Sequence, residues 1–242
     1  SRDRERIRKN QLPLDEPLLV LDEVHKFRRW RQLLKGLFDE YHPERHFLVT
    51  GSARLDHYRR GGDSLQGRYH YWRLHPFTIG ELPASAMDTL LHCGGFPEPF
   101  LRANRRQWRR WSRERLDRVV REDLRDLEQV RELGLIELLV DALRQRVGSL
   151  LSLNALAEDI EVSPRTIDRW LTVLGALYVC YRIPPFGAPK LRAVKKASKL
   201  YLWDWAAIED EGPRFENMVA SHLLRYCHFI EDWHGHQGRG PM

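Results

Sequence analysis

Two adjacent carboxylates, Asp22 and Glu23, follow the apolar run Leu18-Leu19-Val20-Leu21, and a second run, Phe47-Leu48-Val49, ends in Thr50-Gly51-Ser52. Short apolar runs of this kind read as buried parallel strands, which deliver the residues that follow them to the carboxyl edge of a sheet. Acids at that edge suit phosphoanhydride hydrolysis: the first carboxylate holds Mg²⁺ through water and the second polarises the attacking water. Thr50 or Ser52, at the neighbouring strand end, offers a hydroxyl that can hydrogen-bond a phosphate or that water. The bland alternative makes Asp22-Glu23 a capping pair after a strand. The sequence contains no G-x-x-x-x-G-K-[ST], the loop whose backbone N–H groups and lysine cradle nucleotide phosphates.

Composition narrows the field. With 242 residues, 42% hydrophobic and 31% charged, the chain has the make-up of a globular protein with room for one large or two smaller cores. No apolar stretch reaches the roughly 18 residues of a membrane span. The segment Ser1-Arg2-Asp3-Arg4-Glu5-Arg6 lacks the apolar core of a secretory signal. Cys93, Cys180 and Cys227 have neither metal-ligand nor redox spacing. A cytoplasmic protein with reduced thiols and no membrane partner is the expectation. The net charge of +6 and pI near 9.4 favour a polyanionic partner, although acids are interspersed with the bases.

The elements that must position the acids follow from periodicity. Residues 1–95 read as α/β: strand 18–22, a helix carrying Trp30, Leu33, Leu34, Leu37 and Phe38, strand 47–50, a polar loop or short helix over 54–67, and an alternating strand over 69–74. Cys93-Gly94-Gly95-Phe96-Pro97-Glu98-Pro99 is a turn cluster and a boundary. A helical linker over 96–134 holds one long helix, about 101–131. It carries Arg102, Arg105, Arg106, Arg109, Arg110, Arg113 and Arg115, interleaved with Trp108 and Trp111. Such a face either grips phosphates and stacks bases or is solvated and paired with acids.

Residues 135–205 show a second pattern. After a helix over 136–147, Leu153, Leu156, Ala157 and Ile160 repeat at helical spacing. A turn then leads through Ser163 and Pro164 into Ile167, Trp170, Leu171 and Leu174. Two short helices joined this way form a helix-turn-helix. The β-rich stretch 177–183 and the run Leu200–Trp203 complete a winged helix. Arg165, Thr166, Asp168, Arg169 and Thr172 project from its second helix, and Lys190, Arg192, Lys195, Lys196 and Lys199 lie along the wing. The bases can meet DNA phosphates, Asp168 opposes them, and many winged helices make only protein contacts. The tail 212–242 reads as an amphipathic helix (Phe215, Val219, Leu223, Leu224), a strand at 228–230 and a Gly- and His-rich end without regular structure.

In order, these landmarks resemble a bacterial and archaeal family of AAA-type ATPases. The family joins a P-loop core to a winged-helix segment and a restriction-endonuclease-like domain. The matching pieces are Leu18 to Lys26, Phe47 to Ser52, Leu65-Gln66-Gly67-Arg68, Leu74-His75-Pro76-Phe77 with Glu81, and Gly94 to Glu98. Further on come Asp123-Leu124, Leu151 to Leu174, Lys199-Leu200-Tyr201 with Asp204, and Phe215-Glu216-Asn217. The resemblance implies a fold class of α/β plus α+β: a partial P-loop NTPase core with a parallel sheet, a helical linker, a winged helix-turn-helix, and the start of a nuclease-like α/β domain.

The same resemblance makes Asp22 the Mg²⁺-coordinating acid, Glu23 the catalytic acid, and Thr50 or Ser52 the polar sensor. Arg68 takes either transition-state charge stabilisation or a structural contact. It implies ATP and Mg²⁺ as ligands of a longer protein, with DNA and further copies of the chain as candidate partners. It also marks the chain as an internal fragment that lacks the phosphate-binding loop and the end of the nuclease-like domain. A DNA-binding module is the alternative to the ATPase. A nuclease lacks a metal-binding acid set here.

Overall fold

β1 (Leu18–Leu21) and β2 (His46–Val49) pair in parallel, Leu18 opposite His46 through Leu21 opposite Val49. Parallel neighbours need a crossover, which α1 (Trp30–Tyr41) supplies. The computed structural model describes residues 16–24, 27, 29–51, 65, 67–120, 133–185 and 198–237. It divides into two compact units, 1–71 and 72–242, taken separately below.

In the first unit, Leu19, Leu21, Val24 and Leu37 form the core, with Trp30, Leu33, Leu34, Tyr41, Phe47 and Val49 packed around them. The helical stripe over 30–38 therefore faces the sheet as its spacing requires. The strand itself departs from expectation. Leu18 and Val20 are 51% and 52% exposed, so β1 is buried on one face only. With a single helix described over a two-stranded sheet, only the alternate residues Leu19 and Leu21 have anything to pack on.

The second unit begins with an extended segment in place of the expected strand at 69–74. Trp72 and Leu74 are exposed, and among the described residues no strand runs beside them. Its backbone is held from elsewhere: Phe77 N donates to Gly95 O at 2.7 Å. α2 (Met87–Cys93), α3 (Pro97–Arg102) and α4 (Arg105–Arg118) follow. The expected single helix over 101–131 is thus interrupted. Ala103 adopts the left-handed conformation, and the Asn104 side chain accepts from the N–H groups of Arg106 and Gln107. An Asn at that point starts a helix better than it continues one. Residues 121–131 of that expected helix lie outside the described residues.

α5 (Leu133–Arg144), α6 (Leu153–Ile160) and α7 (Pro164–Ala176) pack through Ile136, Leu139, Leu143, Leu156, Ile167, Trp170, Leu171 and Leu174. The sharp turn between α6 and α7 uses Glu161 at φ 60°, after which the Ser163 hydroxyl accepts from Thr166 N. β3 (Cys180–Ile183) and β4 (Lys199–Leu202) pair antiparallel, Cys180 opposite Leu202. The last element, α8 (Glu211–Gln237), is one helix. The strand expected at 228–230 and the irregular end expected after it are both absent through Gln237. Phe215, Val219, Leu223, Tyr226, Ile230 and Trp233 recur at helical spacing throughout, which a strand cannot use.

α8 is tied to β4 by Asn217. This side chain is fully buried: its Oδ1 accepts from Leu202 N and its Nδ2 donates to Leu202 O, both at 2.7 Å. The amide thus satisfies a buried backbone pair as a neighbouring strand would. Among the described residues no helix is long and apolar enough to cross a membrane.

The inward face of α7 sets the first expected outcome. Trp170 is 2% exposed, whereas Asp168 is half-buried and bound by Arg182 Nη1 at 2.6 Å, a partner its place on the helix did not announce. Trp170→Ala should cost about 3–5 kcal/mol. Asp168→Ala, which breaks a surface ion pair, should cost about 1 kcal/mol at most. Denaturant unfolding of both variants reads the two costs, and the reverse order would mean that α7 faces the other way.

Candidate functional site

The parallel register carries past the strands. Thr50 N donates to Leu21 O at 3.0 Å and Val24 N donates to Thr50 O at 3.3 Å, so Asp22 and Glu23 stand beside Thr50 at the carboxyl edge. The Thr50 hydroxyl donates to Asp22 Oδ1 and accepts from Glu23 N at 3.3 Å. One side chain thereby joins both acidic positions. Glu23 sits at φ 51°, a left-handed conformation that costs a non-glycine residue about 1 kcal/mol or more and recurs at functional turns. Asp22 is exposed and Glu23 half-buried. The set offers carboxylate and hydroxyl oxygens, the donors that Mg²⁺ takes.

Arg68, the other described first-unit candidate, is not gathered here. Arg68 Nε donates to Asp39 Oδ1 at 2.7 Å. Asp39 lies near the end of α1 that feeds the amino end of β2, so this contact is away from the carboxyl edge. Ser52 lies outside the described residues.

On the helix-turn-helix, Arg165 and Arg169 are exposed. Thr166 is not a free contact, because its hydroxyl lies 2.8 Å from Ser163 Oγ within the cap of α7. Thr172 is likewise engaged, donating to Asp168 O at 2.8 Å. Lys199 pairs with Glu216 at 3.0 Å. Lys190, Arg192, Lys195 and Lys196 lie outside the described residues. No group of three or more His, Cys, Asp or Glu suited to a metal ion occurs among the described residues.

Many downstream landmarks converge on a packing role that spacing alone did not reveal. Asp204 is buried after β4 and accepts from Trp108 Nε1 at 3.2 Å and Ser112 Oγ at 3.3 Å. Burial pushes its carboxyl pKa up, against the charge of Arg115 and those hydrogen bonds. Gly94 and Gly95 lie directly beneath. A Cβ on Gly94 would meet Asp204 Oδ1 at 2.8 Å, and one on Gly95 would meet Phe77 O at 2.5 Å and Trp205 Cη2 at 2.7 Å. Glycine is therefore required by close approach, not by a ligand.

α8 closes over the segment 73–81. Arg73 binds Asp232 at 2.7 Å, Glu81 pairs with Arg225, and His75 Nε2 lies 3.0 Å from His228 Nδ1. Burial, then the charges of His228, Arg225 and Arg73, push the His75 pKa down to about 4. In the unfolded chain a histidine titrates near 6.5. As pH falls from about 6.5 towards 4, the unfolded state therefore takes up a proton that folded His75 refuses, and stability is lost in that window. Melting temperature should fall across it, and His75→Gln should make the fall shallower; an identical pH profile for the variant would contradict the assignment.

With this geometry in hand, the comparisons with known proteins fall into place along the chain. Residues 2–83, which hold the strand pair and its acidic edge, match the family model described as an AAA domain. Two uncharacterized proteins, Mb2031c of Mycobacterium bovis and Rv2008c of Mycobacterium tuberculosis, are each 25% identical over 187 residues. That alignment covers 77% of this chain and 42% of each relative. The chain thus spans about two fifths of the length of the curated relatives it matches. No solved structure matches it. Residues 85–208, half of the chain and most of the assembly around Asp204, match a second family model, and the chain belongs to that family, the domain of unknown function DUF8612.

Proposed function

We propose that this chain is the acidic-strand portion of an AAA-type ATPase, and that the whole protein hydrolyses ATP with Mg²⁺. The observation that carries this reading is the Thr50 hydroxyl joined to Asp22 and to Glu23 N at the carboxyl edge of a parallel pair, within the segment matching an AAA domain. Bound Mg²⁺ supplies neutralisation of the β- and γ-phosphate charge. Asp22 offers the oxygen that holds the ion, and Thr50 fixes the orientation of that carboxylate. Glu23 holds the attacking water and takes its proton. Arg68, held by Asp39, enters as a structural contact.

In this reading residues 1–95 belong to the ATPase core, 96–134 to a helical linker, 135–205 to a winged helix, and 206–242 to the start of a nuclease-like domain. The phosphate-binding loop that the sequence lacks comes from elsewhere in the whole protein, and assembly of several copies is part of the proposal.

In the whole protein, Glu23→Gln should leave ATP binding intact and slow hydrolysis by roughly 10²-fold or more. Asp22→Ala should weaken Mg²⁺-dependent nucleotide binding itself. The isolated chain should hydrolyse no ATP above background. Equal hydrolysis by wild type and Glu23→Gln would remove the reading.

A second reading, a DNA-binding winged helix, draws on α7. Ile167, Trp170 and Leu171 are buried on one side while Arg165 and Arg169, one turn apart, are exposed on the other. The antiparallel pairing of β3 with β4 after α7 supports a wing. Replacing both arginines with Ala should lower the salt dependence of DNA binding, by about 0.9 in log–log slope per lost phosphate contact.

A further inference from the structure

α4 turns two of its arginines, Arg105 and Arg115, inward, and presents three others, Arg106, Arg109 and Arg113, that have no role in either reading above. On the inward side, Arg105 Nη1 donates to His92 O at 2.6 Å and Ala206 O at 2.8 Å, and its guanidinium lies 3.9 Å from the centre of the Trp108 ring. Arg115 Nη2 donates to Tyr178 O at 2.7 Å and stacks over Phe96 and Trp111. Trp108 is buried. Trp108 is therefore spent on packing, and the half-buried Trp111 lies against Phe96 and Arg115.

On the outward side, Arg106, Arg109 and Arg113 are exposed and have no acidic partner among the described residues. Their neighbours Arg102 and Arg110 do have partners, Glu98 at 3.0 Å and Glu114 at 2.8 Å. Positions 106, 109 and 113 fall at i, i+3 and i+7, one stripe of the helix about 10 Å long at 1.5 Å per residue. Like charges at that spacing weaken a helix, so a stripe left uncompensated is stabilised when an anion covers it.

The chemistry of the stripe selects among anions. Every basic residue of α4 is an arginine, whose planar fork matches phosphate oxygens bidentately. A membrane surface is a poor fit, because the apolar side of α4 that would insert is already packed inward. Each strand of a duplex presents one charge per about 3.4 Å of axis, so a straight, regular stripe about 10 Å long spans roughly three of them, one for each arginine. Carboxylates on a protein surface have no such regular spacing. We propose that Arg106, Arg109 and Arg113 form a binding face for the phosphate backbone of a nucleic acid, without regard to base sequence and independent of α7.

The test is binding of a fluorescein-labelled DNA duplex of mixed sequence to the whole 242-residue chain across a salt series. The triple variant Arg106→Gln, Arg109→Gln, Arg113→Gln should bind roughly tenfold more weakly or worse, with the log–log salt slope reduced by up to about 2.7. The triple Lys variant keeps the charge and should recover most of the slope, so a folding defect in the Gln variant would not hide the result. The same loss should appear in a background where Arg165 and Arg169 are Ala, which separates this face from the α7 reading. Equal affinity and slope for wild type and the Gln variant would overturn the proposal. Competition by poly-glutamate as effective, charge for charge, as unlabelled DNA would also overturn it and give the face to an acidic protein.

Discussion

The register of β1 against β2 is the constraint on which the first unit depends. Leu21 faces Val49, and the ladder continues through Thr50 N to Leu21 O, so the residues after each strand are held abreast. A slip of one residue would send Leu19 and Leu21 away from Leu37 and expose the core, because strand side chains alternate faces. The burial of those leucines therefore fixes where Thr50 meets Asp22. Packing energy on one side of the sheet sets the geometry of the side chains at its edge.

The second unit turns on a buried polar pair of a different kind. Asn217 satisfies both backbone groups of Leu202, and two residues further Asp204 is satisfied by Trp108 and Ser112. Buried polar groups left unpaired are costly, so α4, α8 and the end of β4 must assemble together. Gly94 and Gly95 are the steric counterpart of that requirement. This accounts for Gly94-Gly95, Asp204 and Asn217 as parts of one tertiary joint, with no ligand needed to explain them.

Elements with local signals were legible from residues alone. The strand pair and α1 follow from apolar runs and a helical stripe. α6 and α7 follow from the helical spacing of Leu153, Leu156, Ala157 and Ile160, the Ser163 cap, Pro164 and the buried spacing of Ile167, Trp170 and Leu171. The Asp22–Glu23–Thr50 edge was legible for the same reason, since two strand ends in parallel leave little freedom. What failed depended on partners distant in sequence. The alternation at 69–74 has no strand to pair with among the described residues, and α8 remains helical through 228–230. The division of α4's arginines between Trp108 and solvent depends on Ala206 and Tyr178, far along the chain.

The central claim is that the Thr50 hydroxyl and the Asp22 carboxylate act as one unit in ATP hydrolysis. A double-mutant cycle on the whole protein, with Asp22→Asn, Thr50→Val and the pair, measures that coupling. The account predicts non-additive losses, the double variant falling short of the summed single effects by about 1 kcal/mol or more in activation free energy. Losses that add within about 0.5 kcal/mol, or a Thr50→Val variant as active as wild type, would contradict it.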